Sequence, residues 1–192
     1  MDSTIGGDDQ QLIRDACGGD DRAFGHLVRF YTRPLYNYCF RFLNRKEDVE
    51  DVLQETFLKA YKALGRYDQT RAFSSWLFTI ATHTTYDWLR KKKRFPEMLI
   101  IDNNNDSIET IGDHRSYIII EDAIDLDAAL QQLRPEYKAV LLLYYYQSLP
   151  YEEIAAILST PLNTVKTHLR RAKEALRIVY NKHNENKKIN NV

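Results

Sequence analysis

The 192-residue chain predicts an all-α protein of two small helical domains joined by a flexible acidic linker. Apolar residues recur at helical spacing through residues 23–94 and again through residues 127–180. Residues 95–126 break that period with Pro96, Asn103, Asn104, Asn105, Gly112 and scattered acids, which is linker composition. Charge is segregated although it sums to zero, with Lys+Arg and Asp+Glu at 27 each. Residues 90–94 are all cationic, residues 166–177 carry a net positive charge, and the connector between them is acidic. Two cationic surfaces separated by an anionic segment follow.

The same reading excludes several classes. Cys17 and Cys39 form no C-x-x-C, and His26, His83, His114, His168 and His183 have no paired ligand spacing, so neither zinc nor a disulfide is expected. No phosphate loop or activated nucleophile is present, so no cofactor and no enzyme is expected. No signal peptide follows Met1, and the longest apolar run, Ala139 to Tyr146, is far below membrane-spanning length. A cytoplasmic location and no membrane insertion are expected.

In chain order, residues 1–22 form an acidic N-terminal segment in which Leu12 and Ile13 start a short helix. Asp20 or Asp21 caps a longer helix through Ala23, Phe24, Leu27, Val28, Phe30 and Tyr31, which Pro34 is expected to kink or restart. Asn44 and Glu47 have capping-box spacing before a helix whose buried stripe is Val49, Val52, Leu53, Phe57, Ala60, Tyr61 and Leu64. Asp48, Asp51 and Glu55 line the outside with Gln54 among them. A solvated face is the common reading of such a row; a patch that docks a basic protein surface is the sharper one.

A short loop, Gly65 to Thr70, leads into the helix on which the first domain centres. Phe73, Trp76, Leu77, Ile80, Ala81, Thr84 and Trp88 form one stripe facing a core. Thr79, His83, Tyr86, Asp87, Arg90 and Arg94 form a second ridge, leading hydrogen-bonding and aromatic groups into cations. Five consecutive cations after an aromatic-rich helix favour nucleic acid over a solvated helix end.

The segments Asp48 to Phe57, Phe73 to Ala81 and Asp87 to Arg94 together resemble domain 2 of the bacterial extracytoplasmic-function sigma factors, in the primary-sigma superfamily. Leu130 and Leu133 then mark a short helix, Pro135 opens another, and Ile154, Ala155 and Leu158 face Val165, Leu169, Ala172, Leu176 and Val179 across the break at Ser159 to Leu162. That is a helix-turn-helix pattern, and Leu149 to Leu158 with Pro161 to Leu176 resembles domain 4 of the same group.

The resemblance implies a non-enzymatic factor that binds core RNA polymerase, recognises promoter DNA and initiates transcription of a specific regulon. Residues 23–94 would be sigma domain 2 and residues 127–180 sigma domain 4, with a polar tail at 181–192. By position, Asp48, Asp51, Gln54 and Glu55 would dock the clamp helices of the largest subunit, and Leu141, Leu142 and Tyr145 the flap of the second-largest. Tyr67 and His83 would hold a base flipped from the minus-ten element, with Tyr86 beside them and Arg90, Lys91, Lys92, Lys93 and Arg94 following phosphates. Lys166, Thr167, His168, Arg170, Arg171 and Lys173 would face the minus-thirty-five element. The linker would thread the RNA exit path, and an anti-sigma factor is an expected further partner.

Overall fold

The computed structural model describes residues 7–94, 126 and 129–190, with side chains in the last helix described through Ile178. Among them the elements are α1 (Gly7–Cys17), α2 (Asp21–Leu43), α3 (Lys46–Ala63), a 3-10 turn (Leu64–Arg66), α4 (Phe73–Arg94), α5 (Pro135–Tyr145), α6 (Tyr151–Ile157) and α7 (Leu162–Asn190). Residues 129–131 add a helical turn. The first residues of the N-terminal segment, the linker through residue 125 with Ile118 to Ile120, and the side chains of the polar tail lie outside the described residues.

Helices α2, α3 and α4 close around Leu35, Val49, Val52, Ala60, Leu77 and Ala81, all fully buried. A fully buried Leu or Val side chain contributes about 1.5–3 kcal/mol. Helix α1 lies on α2 and adds Ile13 and Ala16 to this core, which therefore reaches N-terminal of residue 23. Asp20 caps α2, its carboxylate accepting from the backbone N–H of Arg22 at 2.8 Å and of Ala23 at 3.2 Å.

Two expectations are corrected here. Helix α2 does not restart at Pro34: it runs on as one helix, because buried residues on both sides of it, Tyr31 and Leu35 among them, fix both segments to one core. Asn44 caps no helix N-terminus. It ends α2 in the left-handed region at φ 58°, its N–H donating to the Phe40 carbonyl, and α3 starts from Arg45 without a side-chain cap. Asn tolerates that conformation better than most residues. The α3 stripe is also narrower than its periodicity: Tyr61 is half exposed, its ring edge against Phe24 and its hydroxyl donating to Asp21 at 2.7 Å.

The α2–α4 seam carries polar pairs inside the core. Thr82 and Thr85 donate to the Phe78 and Ala81 carbonyls, so the Tyr38 hydroxyl donates to Thr82 at 2.9 Å and the Cys39 thiol to Thr85 at 3.5 Å. Burial raises the Tyr38 hydroxyl well above its ordinary value and pushes the Cys39 thiol up to about 12. Both groups fold as the neutral form, so their contribution is intact below the unfolded pKa and is lost as pH rises toward the folded one. For Cys39 that window runs from 9.0 to about 12. Urea unfolding is expected to show stability falling by about 1.4 kcal/mol per pH unit for each group, above pH 9.0 for Cys39 and above pH 10.0 for Tyr38. Cys39→Val should flatten the slope; an unchanged slope would show that the thiol is not responsible.

In the second half, α5, α6 and α7 surround Val140, Leu143, Ile154, Ile157, Val165 and Ala172. Pro135 sits at the first turn of α5, where its missing N–H costs nothing. Between α6 and α7, Ser159 takes φ 49° and the Thr160 N–H donates to the Ala155 carbonyl at 3.0 Å. The Pro161 carbonyl then accepts from Thr164 and Val165, starting α7 as the second helix of a helix-turn-helix. The backbone of α7 stays helical through the polar tail to Asn190. The two halves pack on each other, α4 against α6 and the end of α2 against α5.

Candidate nucleic-acid and protein interfaces

On the outer face of α3, Asp51 and Gln54 are exposed, and Glu55 is half-buried and paired with Lys59 at 2.8 Å. Asp48 is not part of that face. One turn before the buried Val52, it turns toward α4 and meets Lys92 at 2.8 Å, both side chains only 14% exposed. Lys92 also lies over the Trp88 ring, 4.3 Å from its centroid. This ion pair ties α3 to the end of α4 and withdraws one residue from each predicted surface. It leaves Arg90, Lys91, Lys93 and Arg94 exposed, Arg90 pairing with Asp87 on its own helix.

His83 is exposed on α4, but Tyr86 is not an open aromatic. Its hydroxyl donates to the Pro135 carbonyl at 3.3 Å, and burial, with Glu136 nearby, pushes it far above its ordinary pKa. Tyr67 is only 9% exposed, its ring 4.9 Å from that of Trp76 and 5.4 Å from that of Phe73, and its hydroxyl donates to the Arg71 carbonyl. No base can stack on it in this conformation. The loop after it is preorganised by Asp68, which accepts from the Thr70 hydroxyl at 2.7 Å and its N–H at 3.0 Å. Those bonds hold the Asp68 carboxyl below its usual range, and Gln69 between the two residues is exposed.

On α7, Lys166, Arg170 and Arg171 are exposed, with Glu174 one turn beyond Arg170 at 3.7 Å. Thr167 donates to the Asn163 carbonyl at 2.8 Å, and the half-buried His168 sets its ring edgewise to Tyr137 at 5.2 Å. Lys173 belongs to an aromatic cluster: its ammonium is 5.3 Å from the Tyr145 ring and 5.9 Å from Tyr144, which stacks on Tyr151. A hydrogen bond with Tyr145 raises its pKa. Leu141 and Leu142 are 5% and 1% exposed and form core, so of the predicted flap residues only Tyr145 presents a surface. They lie in an unbroken apolar run on α5, where periodicity does not separate inner from outer face.

Four polar residues in this region were not legible as functional. Gln131 and Lys138 bond to the Arg41 carbonyl, and Ser75 donates to Glu153. These partners lie 78 to 97 residues apart, a range that no spacing rule covers. Among the described residues no cluster of His, Cys, Asp and Glu could hold a metal ion, and no helix is long and apolar enough to cross a membrane.

Comparison with known proteins places both halves. The Sigma-70 region 2 family model matches residues 27–95 and the Sigma-70, region 4 model residues 123–176. The ECF RNA polymerase sigma factor SigW of Bacillus subtilis is 35% identical across 88% of this chain and 94% of its own. The RNA polymerase sigma-H factor of Pseudomonas aeruginosa is 33% identical across 88% and 91%. Among solved structures, CnrH in complex with the cytosolic domain of CnrY superposes with a TM-score of 0.66 at 26% identity, covering 91% of this chain and 97% of that one. The chain belongs to the extracytoplasmic-function family of RNA polymerase sigma factors, which initiate transcription and are not enzymes.

Proposed function

We propose that the chain docks on core RNA polymerase through Asp51, Gln54 and Glu55 of α3, the clamp helices of the largest subunit being the partner surface. Promoter DNA is then read by two separate basic surfaces. Lys166, Arg170 and Arg171 on α7 face the minus-thirty-five element, and Arg90, Lys91, Lys93 and Arg94 follow phosphates beside the minus-ten element, with His83 on the same helix. The observation that carries this reading is the division of exposed charge: acid and amide on α3, cations on α7 and at the end of α4. One face suits a basic protein surface, and the others suit a phosphate backbone.

Tyr145, with Lys173 over its ring, is the contact offered to the flap of the second-largest subunit. The units are domain 2 at 23–94, buttressed by α1, and domain 4 at 127–180, with the linker threading the RNA exit path. An anti-sigma factor is a further proposed partner; CnrH, in the structure described above, is bound by the cytosolic domain of CnrY. The site of action is the cytoplasm.

The test is gel filtration of the full chain with core RNA polymerase, followed by transcription from candidate promoters. Co-elution with promoter-specific transcripts is expected. Sequence-specific DNA binding without polymerase would favour a stand-alone helix-turn-helix regulator, and core binding without transcripts a sequestering protein. Within the α7 surface, Arg171→Ala is expected to cost about 1–3 kcal/mol of discrimination at one minus-thirty-five base pair, the value of a bidentate contact to guanine. Competition binding against single-base promoter variants measures it. Equal loss on every variant would show that Arg171 holds phosphate only.

A further inference from the structure

Helix α2 carries a charge pattern that neither the docking face nor the promoter surfaces use. Residues 22–46 hold six cations and no acid, in a chain whose acids and bases balance at 27 each, and five of the six are arginine. A helix face that needs only solvation mixes both signs, so a run of one sign over this length suits an anionic partner. Arg22, His26, Arg29 and Arg33 stand at i, i+4, i+7 and i+11, a line about 16 Å long on the outer side of α2, and all four are exposed. Ala23, Leu27, Tyr31 and Leu35 occupy the buried side. The acids nearest the line are engaged elsewhere: Asp20 caps α2, and Asp21 accepts from the Tyr61 hydroxyl at 2.7 Å. Among the described residues no carboxylate pairs with Arg22 or Arg29.

Phe30, four residues from His26 and three from Arg33, flanks this line and is 51% exposed. A lone exposed Phe is ordinary, but this one ends an aromatic row. Its ring lies 5.0 Å from Tyr31, Tyr31 lies 5.5 Å from Phe73, and Phe73 lies 5.4 Å from Tyr67 of the loop. Tyr31, Phe73 and Tyr67 are buried, so of these four rings Phe30 is the one that offers a face to solvent. The row also fixes where the line sits. Tyr31 packs on Phe73 and Phe42 on Tyr86, so α2 and α4 run in the same direction. Arg22 to Arg33 therefore lie toward the N-terminal end of α4 and its loop, while Arg90 to Arg94 lie at the other end of a helix about 33 Å long.

We propose that this face of α2 binds the single strand of promoter DNA that leaves the minus-ten element once the duplex opens: Arg22, Arg29 and Arg33 hold its phosphates, and a base stacks on Phe30. Guanidinium groups match phosphate oxygens in bidentate fashion, and a cationic track interrupted by an aromatic face is how a strand is held without regard to sequence. Paired DNA keeps its base faces stacked within the duplex and has no use for the ring. An acidic protein would be drawn by the arginines, but Phe30 gives it no reason to prefer this end of the helix. The assignment rests on the reading of α4 and its loop as the minus-ten surface, because that reading puts the melted strand beside α2.

The test uses core polymerase holding the full chain and two promoter forks that share the minus-ten edge, one with a single-stranded downstream overhang and one without. The overhang is expected to strengthen binding of the parent. Arg22→Gln with Arg29→Gln should remove most of that gain and lower the salt slope on the overhang fork by about 1.4, at 0.7 for each phosphate contact on a single strand. Phe30→Ala should weaken the overhang fork about tenfold and leave a fork with an abasic overhang unchanged. All three side chains are exposed, and helical circular dichroism checks the fold; Phe30→Leu, which keeps apolar bulk without a ring face, should lose the same tenfold and decides the matter if Phe30→Ala unfolds. Equal loss on both forks would show that the arginines hold duplex and overturns the single-strand assignment. Unchanged affinity and slope would overturn it too and leave the face to an acidic protein, and loss from Phe30→Ala on the abasic overhang would overturn stacking. If the parent fails to bind core polymerase, the docking assignment falls instead, and anisotropy of the labelled overhang strand with the free chain decides the α2 face: loss in the arginine variant is expected, and equal binding by parent and variant overturns the proposal.

Discussion

Replacing Asp51 and Gln54 together by alanine is expected to abolish co-elution of the chain with core RNA polymerase while leaving its thermal melting within about 1 °C of the parent. Both side chains project from the outer face of α3, and among the described residues no partner engages them, so their loss opens no cavity. The helix keeps its hold through Val49, Val52 and Leu53 and through the Asp48–Lys92 pair on its inner side. At an interface, truncating a central residue commonly costs about 2 kcal/mol or more. Two of them amount to roughly a thousandfold in Kd, enough to turn a submicromolar complex into one that dissociates on a column. Asp48→Ala is the informative contrast. It strands Lys92 with both partners largely sheltered from water, so its first effect is on stability, at about 1–3 kcal/mol, rather than on binding. Loss of co-elution on Asp48→Ala but not on the double substitution would move the docking surface from the outer face to the α3–α4 groove.

The sequence carried the helices and lost the pairings, and the reason differs from place to place. Stripes such as Phe73, Leu77, Ala81 and Thr84 are read correctly because burial of one helix face imposes a local period. The helix-turn-helix was equally legible, its turn marked by Ser159, Thr160 and Pro161. Asn44 was misread because an Asn before a helix and an Asn ending one look alike; the left-handed φ that separates them is visible only in the backbone. Asp48 and Lys92 were assigned to separate surfaces because each fits its own row, and only the packing of α3 on α4 brings them together. Lys138 and Gln131 left no trace because a buried cation on a helix end is specified by the end of another helix, far along the chain. The exposed cations of α7 were legible for the opposite reason: a surface left to solvent has its charge written in its own periodicity.

Tyr67 is the residue whose expected behaviour changes most between sequence and structure. If a flipped base stacked on its ring, Tyr67→Ala would impair promoter opening and little else. The ring instead fills the space between Trp76 and Phe73, with Tyr31 behind Phe73 at 5.5 Å, so its removal is a core truncation. Tyr67→Ala is expected to cost about 3–5 kcal/mol, which in a chain of this size lowers the melting temperature by about 10 °C or more. Polymerase binding, DNA binding and opening should all suffer with it. The decisive substitution is Tyr67→Phe. It keeps the ring and leaves only the Arg71 carbonyl without its donor, at about 1 kcal/mol. That carbonyl closes the loop from residue 67 to residue 71, in which Asp68 holds Thr70 and Gln69 is exposed. A loop shaped by the hydroxyl loses its geometry in the Phe variant, so promoter opening followed with a fluorescent base in the minus-ten element should slow while closed-complex affinity and helicity are kept. Stacking asks only for an aromatic face, so an opening rate unchanged in Tyr67→Phe, with Tyr67→Ala stable, would return the base to the tyrosine ring and require that ring to leave the core when DNA melts.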